Sequence, residues 1–176
     1  MIEVILVNTN DEEIGRMEKM AVHQSGLLHR AFSVFIFNRR GEMLLQQRAS
    51  NKYHSPNLWS NACCSHPAPG EDILVAAQRR LQEEMGFTTN LTPAFHFIYK
   101  IDFDNGLTEH EFDHVFIGTY DGEIAPDHNE VKDFCFMKVE AIKESLDLYQ
   151  HKYSSWFNIA FQKMEDHLAN SQIINQ

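Results

Sequence analysis

Two short stretches of this chain hold side chains suited to proton and metal chemistry. In Asn61–Pro67 (NACCSHP) a thiol, Cys64, stands two residues from an imidazole, His66. In Glu109-His110-Glu111 two carboxylates are spaced so that a strand would project both to one face. Thiols and carboxyls carry protons, and imidazoles and carboxylates bind divalent cations. A third set lies further along, where Arg80 and Glu84 are four apart and share one face of any helix through them. A guanidinium beside a carboxylate opposes cation binding at that spot. It suits a phosphate oxygen instead, which it can grip through two hydrogen bonds. His23 and His29 do not have the spacing of a helical pair, so they are expected to flank a turn.

These residues need a frame. Glu3–Asn8 and Phe32–Asn38 read as strands, the second β-branched and aromatic enough to be buried. Arg39, Arg40 and Gly41 turn the chain into Glu42–Arg48, the expected hairpin partner of that second strand. Asn8–Gly15 is polar and turn-like. Asn51–Glu71 has three prolines and little periodicity, so it reads as a loop, and loops of that length are usually functional. In Asp72–Met85, Leu74, Ala77, Leu81 and Met85 make one apolar helical face, with Asp72 as N-cap and Gly86 at the C-terminal stop. Phe95–Phe103 and Phe112–Tyr120 read as strands around the turn Asp104-Asn105-Gly106. A strand near Phe134–Lys138 leads to helices at Val139–Tyr149 and Ser155–Ala169. Strands and helices in this mixed order predict an α/β or α+β fold. The length predicts one domain over residues 1–176.

Composition narrows the partners. The net charge of −10 disfavours nucleic acid and anionic membranes. An anionic ligand would need a local basic pocket or a metal ion. No apolar run approaches the roughly 20 residues of a membrane span, so a cytoplasmic protein is expected. Three cysteines, two of them adjacent, make a poor disulfide framework. Cys63 has no expected role, and Cys135 reads as a buried apolar residue. The other histidines, His54 among them, read as structural or surface residues.

Ser65–Phe87 resembles the Nudix box. Glu71, Arg79, Leu81, Glu83, Glu84, Gly86 and Phe87 fall on its pattern. Ser65 replaces the leading glycine, and Arg80 replaces the first helix glutamate. With the Asn-x-x-Cys-x-His-Pro element, Ala31-Phe32-Ser33, the 109–111 trio and Ser155-Trp156, nearly the whole chain resembles the type I isopentenyl-diphosphate isomerases. The resemblance implies a Nudix-type mixed sheet sandwiched between helices.

It also implies a function, the isomerisation of isopentenyl diphosphate to dimethylallyl diphosphate. Cys64 and Glu111 would be the proton-transfer residues, with Glu111, assisted by Tyr99, giving and Cys64 taking. His23, His29, His66, Glu109 and Glu111 would hold a divalent metal, and that mixed set admits Mg2+, Mn2+ or Zn2+. Glu84 would hold a Mg2+ that arrives with the diphosphate. Lys19, Arg48, Lys52 and Arg80 would supply positive charge from four separate segments, and Trp156 a π face for a cationic intermediate. A monomer or weak dimer is expected. The alternative is a Nudix hydrolase of a nucleoside or other diphosphate, against which Arg80 and the Cys64–His66 element argue.

Overall fold

The computed structural model describes residues 2–174, with side chains through 171. Residues 1, 175 and 176, which the expected domain span includes, lie outside the described residues. In chain order the elements are β1 (Glu3–Val7), β2 (Glu13–Glu18), α1 (Lys19–Ser25), β3 (His29–Phe37), β4 (Glu42–Arg48), β5 (Trp59–Asn61) and β6 (Cys63–Ser65). Then come α2 (Ile73–Met85), β7 (Leu91–Asp102), β8 (Thr108–Thr119), β9 (Val131–Lys138), α3 (Val139–Tyr149) and α4 (Ser155–Ile174). The strands form one mixed α/β sheet.

β3 organises it. Nearly every residue of this strand is buried, which requires cover on both faces. It runs parallel to β8 from His29↔Glu111 to Phe37↔Thr119. β7 folds back on β8 as a long antiparallel partner. The expected β3–β4 hairpin is corrected here: the two strands share only the pair Phe37↔Met43. β4 instead pairs along its length with β9 and near its end with β5. Gly41 makes the turn at φ 74, but the apolar residues that follow seek a different neighbour.

The segment expected to be a loop contains β5 and β6, whose shortness hides them from a periodicity argument. β5 pairs with β4, and β6 pairs with β3 through Ser33↔Cys64. The chain thus crosses from one half of the sheet to the other at Ala62. That crossing sets Cys64 beside β3, while β8 brings Glu111 to β3 as well. β2 and α1 were also missed; both are short and polar.

α2 follows its expected signals. Asp72 accepts hydrogen bonds from the amides of Leu74 and Val75, and Gly86 ends the helix at φ 76. A Cβ at Gly86 would lie 2.1 Å from the carbonyl oxygen of Ala125, so only glycine fits there. Ala76, Ala77, Leu81 and Met85 of α2 pack on one face of the sheet with Phe32, Val34, Ile36 and Leu44. On the other face Phe157, Ala160, Phe161 and Met164 of α4, with Ile142 of α3, pack on Phe35, Met43 and Leu45. The sheet is therefore sandwiched between helices. Leu81 is fully buried, and truncating such a side chain to alanine costs about 2–5 kcal/mol.

Candidate active site

The described structure brings the expected residues to one place. A cavity of ≈ 70 Å³ is lined by all of them except His23 and His29, which are fully buried. A broader basin of ≈ 560 Å³ shares Lys19, Lys52, Ser65, His66 and Arg80 with it and forms the mouth.

At the floor, donor atoms of His23, His29, His66 and Glu111 lie within 4.8 Å of one another. α1 ends at Gly26, in the left-handed region, so the chain turns at once from His23 to His29 at the start of β3. The ring orientations are fixed from outside. His23 Nδ1 lies 2.7 Å from the Lys19 carbonyl and His29 Nδ1 2.9 Å from that of Leu27. A carbonyl only accepts, so each Nδ1 carries a proton and each Nε2 points inward. Burial lowers the pKa of His23 and drives that of His66 down to about 3, so both rings are neutral. His66 Nε2 lies 3.2 Å from His29 Nε2 and 3.0 Å from Glu111 Oε1. Burial would raise Glu111, but the imidazoles of His29 and His66 hold it well below the usual carboxylate range. His23 Nε2 is buried with no hydrogen-bond partner. Converging lone pairs with one of them unpartnered fit a divalent cation.

Glu109, on the same face of β8, stands outside this group of four. Burial and the neighbouring Glu111 push its carboxyl well up. Tyr99 of β7 donates its hydroxyl proton to Glu111 Oε2 at 2.6 Å, with Glu109 Oε2 further off at 3.3 Å. Burial and these two carboxylates keep Tyr99 a phenol.

Cys64 faces acceptors. Its Sγ donates to Asn61 Oδ1 at 3.1 Å, because Asn61 Nδ2 is committed to the carbonyls of Val34 and Cys63. Ser33 Oγ, 3.4 Å from the sulfur, gives its own proton to Asp113 Oδ2 at 2.7 Å. With burial as the main cause and Asp113 adding to it, the thiol is pushed up to about 12 and holds its proton. Cys63 is fully buried in the core under α2, and Cys135 is half-buried among the residues under α4.

All four expected cations line the cavity, and Lys19, Lys52 and Arg80 also line its mouth. Lys52 is bonded to Glu130. Arg80 donates to Glu84 Oε1 at 2.6 Å and to Glu83 Oε2 at 2.7 Å, with Glu130 Oε2 at 3.7 Å. Gln46 holds the other oxygen of Glu84 at 3.0 Å. Arg48 stands over the ring of buried Trp156, 5.0 Å from its centre. Arg79 is taken up by Glu71 and Glu83, so it braces the box rather than the cavity.

His54 corrects the sequence reading. It is buried and lines the cavity, stacked on Phe103 at 5.0 Å and edge-on to Trp156 at 5.6 Å. Its Nε2 lies 3.3 Å from Glu109 Oε1. Burial lowers its pKa to about 3. Nothing in the polar, aperiodic segment around it marks it. Asn61 was visible within the quoted motif. Ser33 was visible in the quoted Ala31-Phe32-Ser33 but without a role, and Asp113 was not visible, because both roles depend on which strands become neighbours.

Comparison with known proteins agrees with this picture. Residues 27–157 match the NUDIX domain model. The isopentenyl-diphosphate Delta-isomerase of Pectobacterium atrosepticum is 47% identical over 169 residues, 95% of this chain and 93% of that protein. That of Burkholderia multivorans is 47% identical over 91% of both chains. The crystal structure of DR0079 from Deinococcus radiodurans aligns with a TM-score of 0.70 at 19% identity, over 84% of this chain and 90% of that one. The MutT protein of Methanosarcina mazei aligns at 0.65 and 18%, over 79% and 94%. At such identities the structures speak for the fold alone. The sequence match reaches further, and the chain belongs to the NUDIX family and, within it, to the isopentenyl-diphosphate Delta-isomerases.

Proposed function

We propose that this chain converts isopentenyl diphosphate to dimethylallyl diphosphate by adding a proton at one carbon and removing one two carbons away. The observation that carries the reading is a single small cavity lined by Cys64, by the Tyr99–Glu111 pair and by four basic residues, with lone-pair donors at its floor.

The residues divide the task. Lys19, Lys52 and Arg80 bind the diphosphate at the mouth, and the C5 tail enters the cavity. Glu111 gives its proton to the terminal alkene carbon, whose π electrons form the new C–H bond and leave a tertiary cation. Tyr99, on the second oxygen of Glu111, steadies the carboxylate as it forms. Cys64, on the strand that flanks β3 from the other side, takes the proton from the carbon next to the oxygen-bearing end. The electrons of that C–H bond close the new double bond. In the substrate-free protein the proton rests on Cys64 and Glu111 is ionised, so the reactive form lies one proton exchange away. Trp156 lends its π face, a contribution of about 0.5–2 kcal/mol. The tight cavity excludes the water that would capture the cation.

A divalent cation bound by His23, His29, His66, Glu111 and Glu109 would supply Lewis acidity that keeps the Glu111 carboxyl a strong acid. Three imidazoles fit Zn2+ or Mn2+ better than Mg2+. Mg2+ suits the diphosphate at Glu84, which must then release Arg80 or Gln46.

The test is incubation with isopentenyl diphosphate and divalent metal, with and without chelator, followed by proton NMR. The expected result is the allylic methyl signals of dimethylallyl diphosphate, lost with chelator, and no release of phosphate. Phosphate release without those signals would make the chain a hydrolase and end the proposal.

A further inference from the structure

Glu109 and Glu111 are two residues apart on one face, yet only Glu111 joins the four-donor group. Among the described residues, the side-chain polar atoms recorded close to the Glu109 carboxylate are two. Tyr99 Oη lies 3.3 Å from Oε2, but its one proton is given to Glu111 at 2.6 Å. His54 Nε2 lies 3.3 Å from Oε1. Of these two, only His54 has a ring N–H that is not already given to another acceptor. The imidazole is itself fixed: it stacks on Phe103, stands edge-on to Trp156, and its backbone carbonyl accepts from Arg48 Nη2 at 3.2 Å. Its Nδ1 is buried with no hydrogen-bond partner, so the ring's polar business in this pocket is with Glu109.

We propose that His54 is a positioning residue for Glu109, donating from Nε2 to Oε1 so that the carboxylate is oriented toward the metal donors of the cavity floor. The proposal rests on the reading of Glu109 as a metal donor. A lone carboxylate in an aromatic box can rotate, and a ligand that must be reoriented costs affinity. Partners that orient metal ligands are worth about 10- to 100-fold in metal binding. His54 acts through Glu109 and has no ligand role of its own, which separates it from His23, His29 and His66.

The test measures Co2+ dissociation constants of the full chain by chelator competition, without substrate. His54→Phe keeps the ring packing and removes the donor; His54→Ala removes both; His54→Gln keeps an N–H near the same place. Expected is a weakening of about 10-fold or more for His54→Phe and His54→Ala, and a value within about threefold of wild type for His54→Gln. In a Glu109→Gln background, His54→Phe should weaken binding no further, because the two residues form one unit. Wild-type affinity in both donor-less variants, or effects that add in the double variant, would overturn the proposal. Glu109→Gln with unchanged affinity would instead overturn the reading of Glu109 as a donor, and the proposal with it. His54→Ala alone can weaken through lost packing; His54→Phe and the double variant separate that from orientation.

Discussion

The floor and the mouth of the cavity meet opposite charge problems. At the floor, His23, His29, His66 and Glu111 gather lone pairs and one negative charge, and among the described residues no lysine or arginine side chain hydrogen-bonds to them. At the mouth, Lys52 and Arg80 gather positive charge that is already partly met, by Glu130 and by Glu83 and Glu84. In the proposed reading the floor would be completed by a cation from outside, and the mouth by an anion from outside. A chain of net charge −10 can therefore hold an anionic substrate without a basic surface, because charge is sorted over a few ångströms and not over the whole molecule. The contrast also has an energetic side. Among the described residues the floor donors have only one another and Tyr99 as partners, and His23 Nε2 has none, so loss there should be severe. Cations at the mouth must leave an existing carboxylate before they bind another, so each is worth less than an isolated ion pair.

Substitutions can break this contrast. Glu111→Gln removes a floor donor and a proton carrier together, and kcat should fall by roughly 10⁴-fold at saturating substrate, with metal content falling too. Retained metal and turnover within tenfold of wild type would remove the contrast at its root.

The thiol above the floor offers a second handle. With Cys64 pushed up to about 12, its thiolate at pH 8 is roughly one part in ten thousand. In a Cys135→Ala background, alkylation by iodoacetamide should rise about tenfold per pH unit from 7 to 10, because only the thiolate reacts. An ordinary thiol would level off near pH 9. A plateau there would show that burial and Asp113 do not hold the proton on Cys64.

At the mouth the effects should be smaller and should fall on KM. Arg80→Glu restores the carboxylate of the usual box and should raise KM about 10- to 100-fold, the worth of a charged hydrogen bond, with kcat changed far less. Lys52→Ala should raise KM only about threefold, because its bond to Glu130 is lost in exchange. Glu130→Gln should move KM the other way by a similar factor, by freeing Lys52 and Arg80. If Glu130→Gln weakens binding instead, the carboxylate contributes to the site rather than competing with the substrate.

How much of this was legible in the sequence follows from range. α2 was readable because its cap, its apolar stripe and its terminal glycine lie within fifteen residues of each other. β4 and α3 were read with their observed bounds, being plain local patterns. The β3–β4 hairpin forms only at its tip because a strand buried on both faces takes its other partners from across the chain, and β8 lies some 80 residues away. The thirteen candidate site residues were named with expected roles from the resemblance, yet the neighbours that set their protonation were not. That Cys64 faces acceptors depends on Ser33 and Asp113, which meet only when β3, β6 and β8 align. His54 sits in a segment with no period and earned no notice until the structure placed it beside Glu109 and Trp156.

In the proposed reaction protons enter and leave the hydrocarbon tail through two different groups, one on β8 and one on β6. The direct measurement is proton and deuterium NMR of isopentenyl diphosphate incubated in D2O with metal-loaded Cys64→Ala and Glu111→Gln proteins. The account predicts deuterium washing into the terminal vinyl carbon with Cys64→Ala, without dimethylallyl diphosphate, and no exchange with Glu111→Gln. Exchange with Glu111→Gln but not with Cys64→Ala would reverse the order of transfer. Dimethylallyl diphosphate formed by both variants at the wild-type rate would contradict the account altogether.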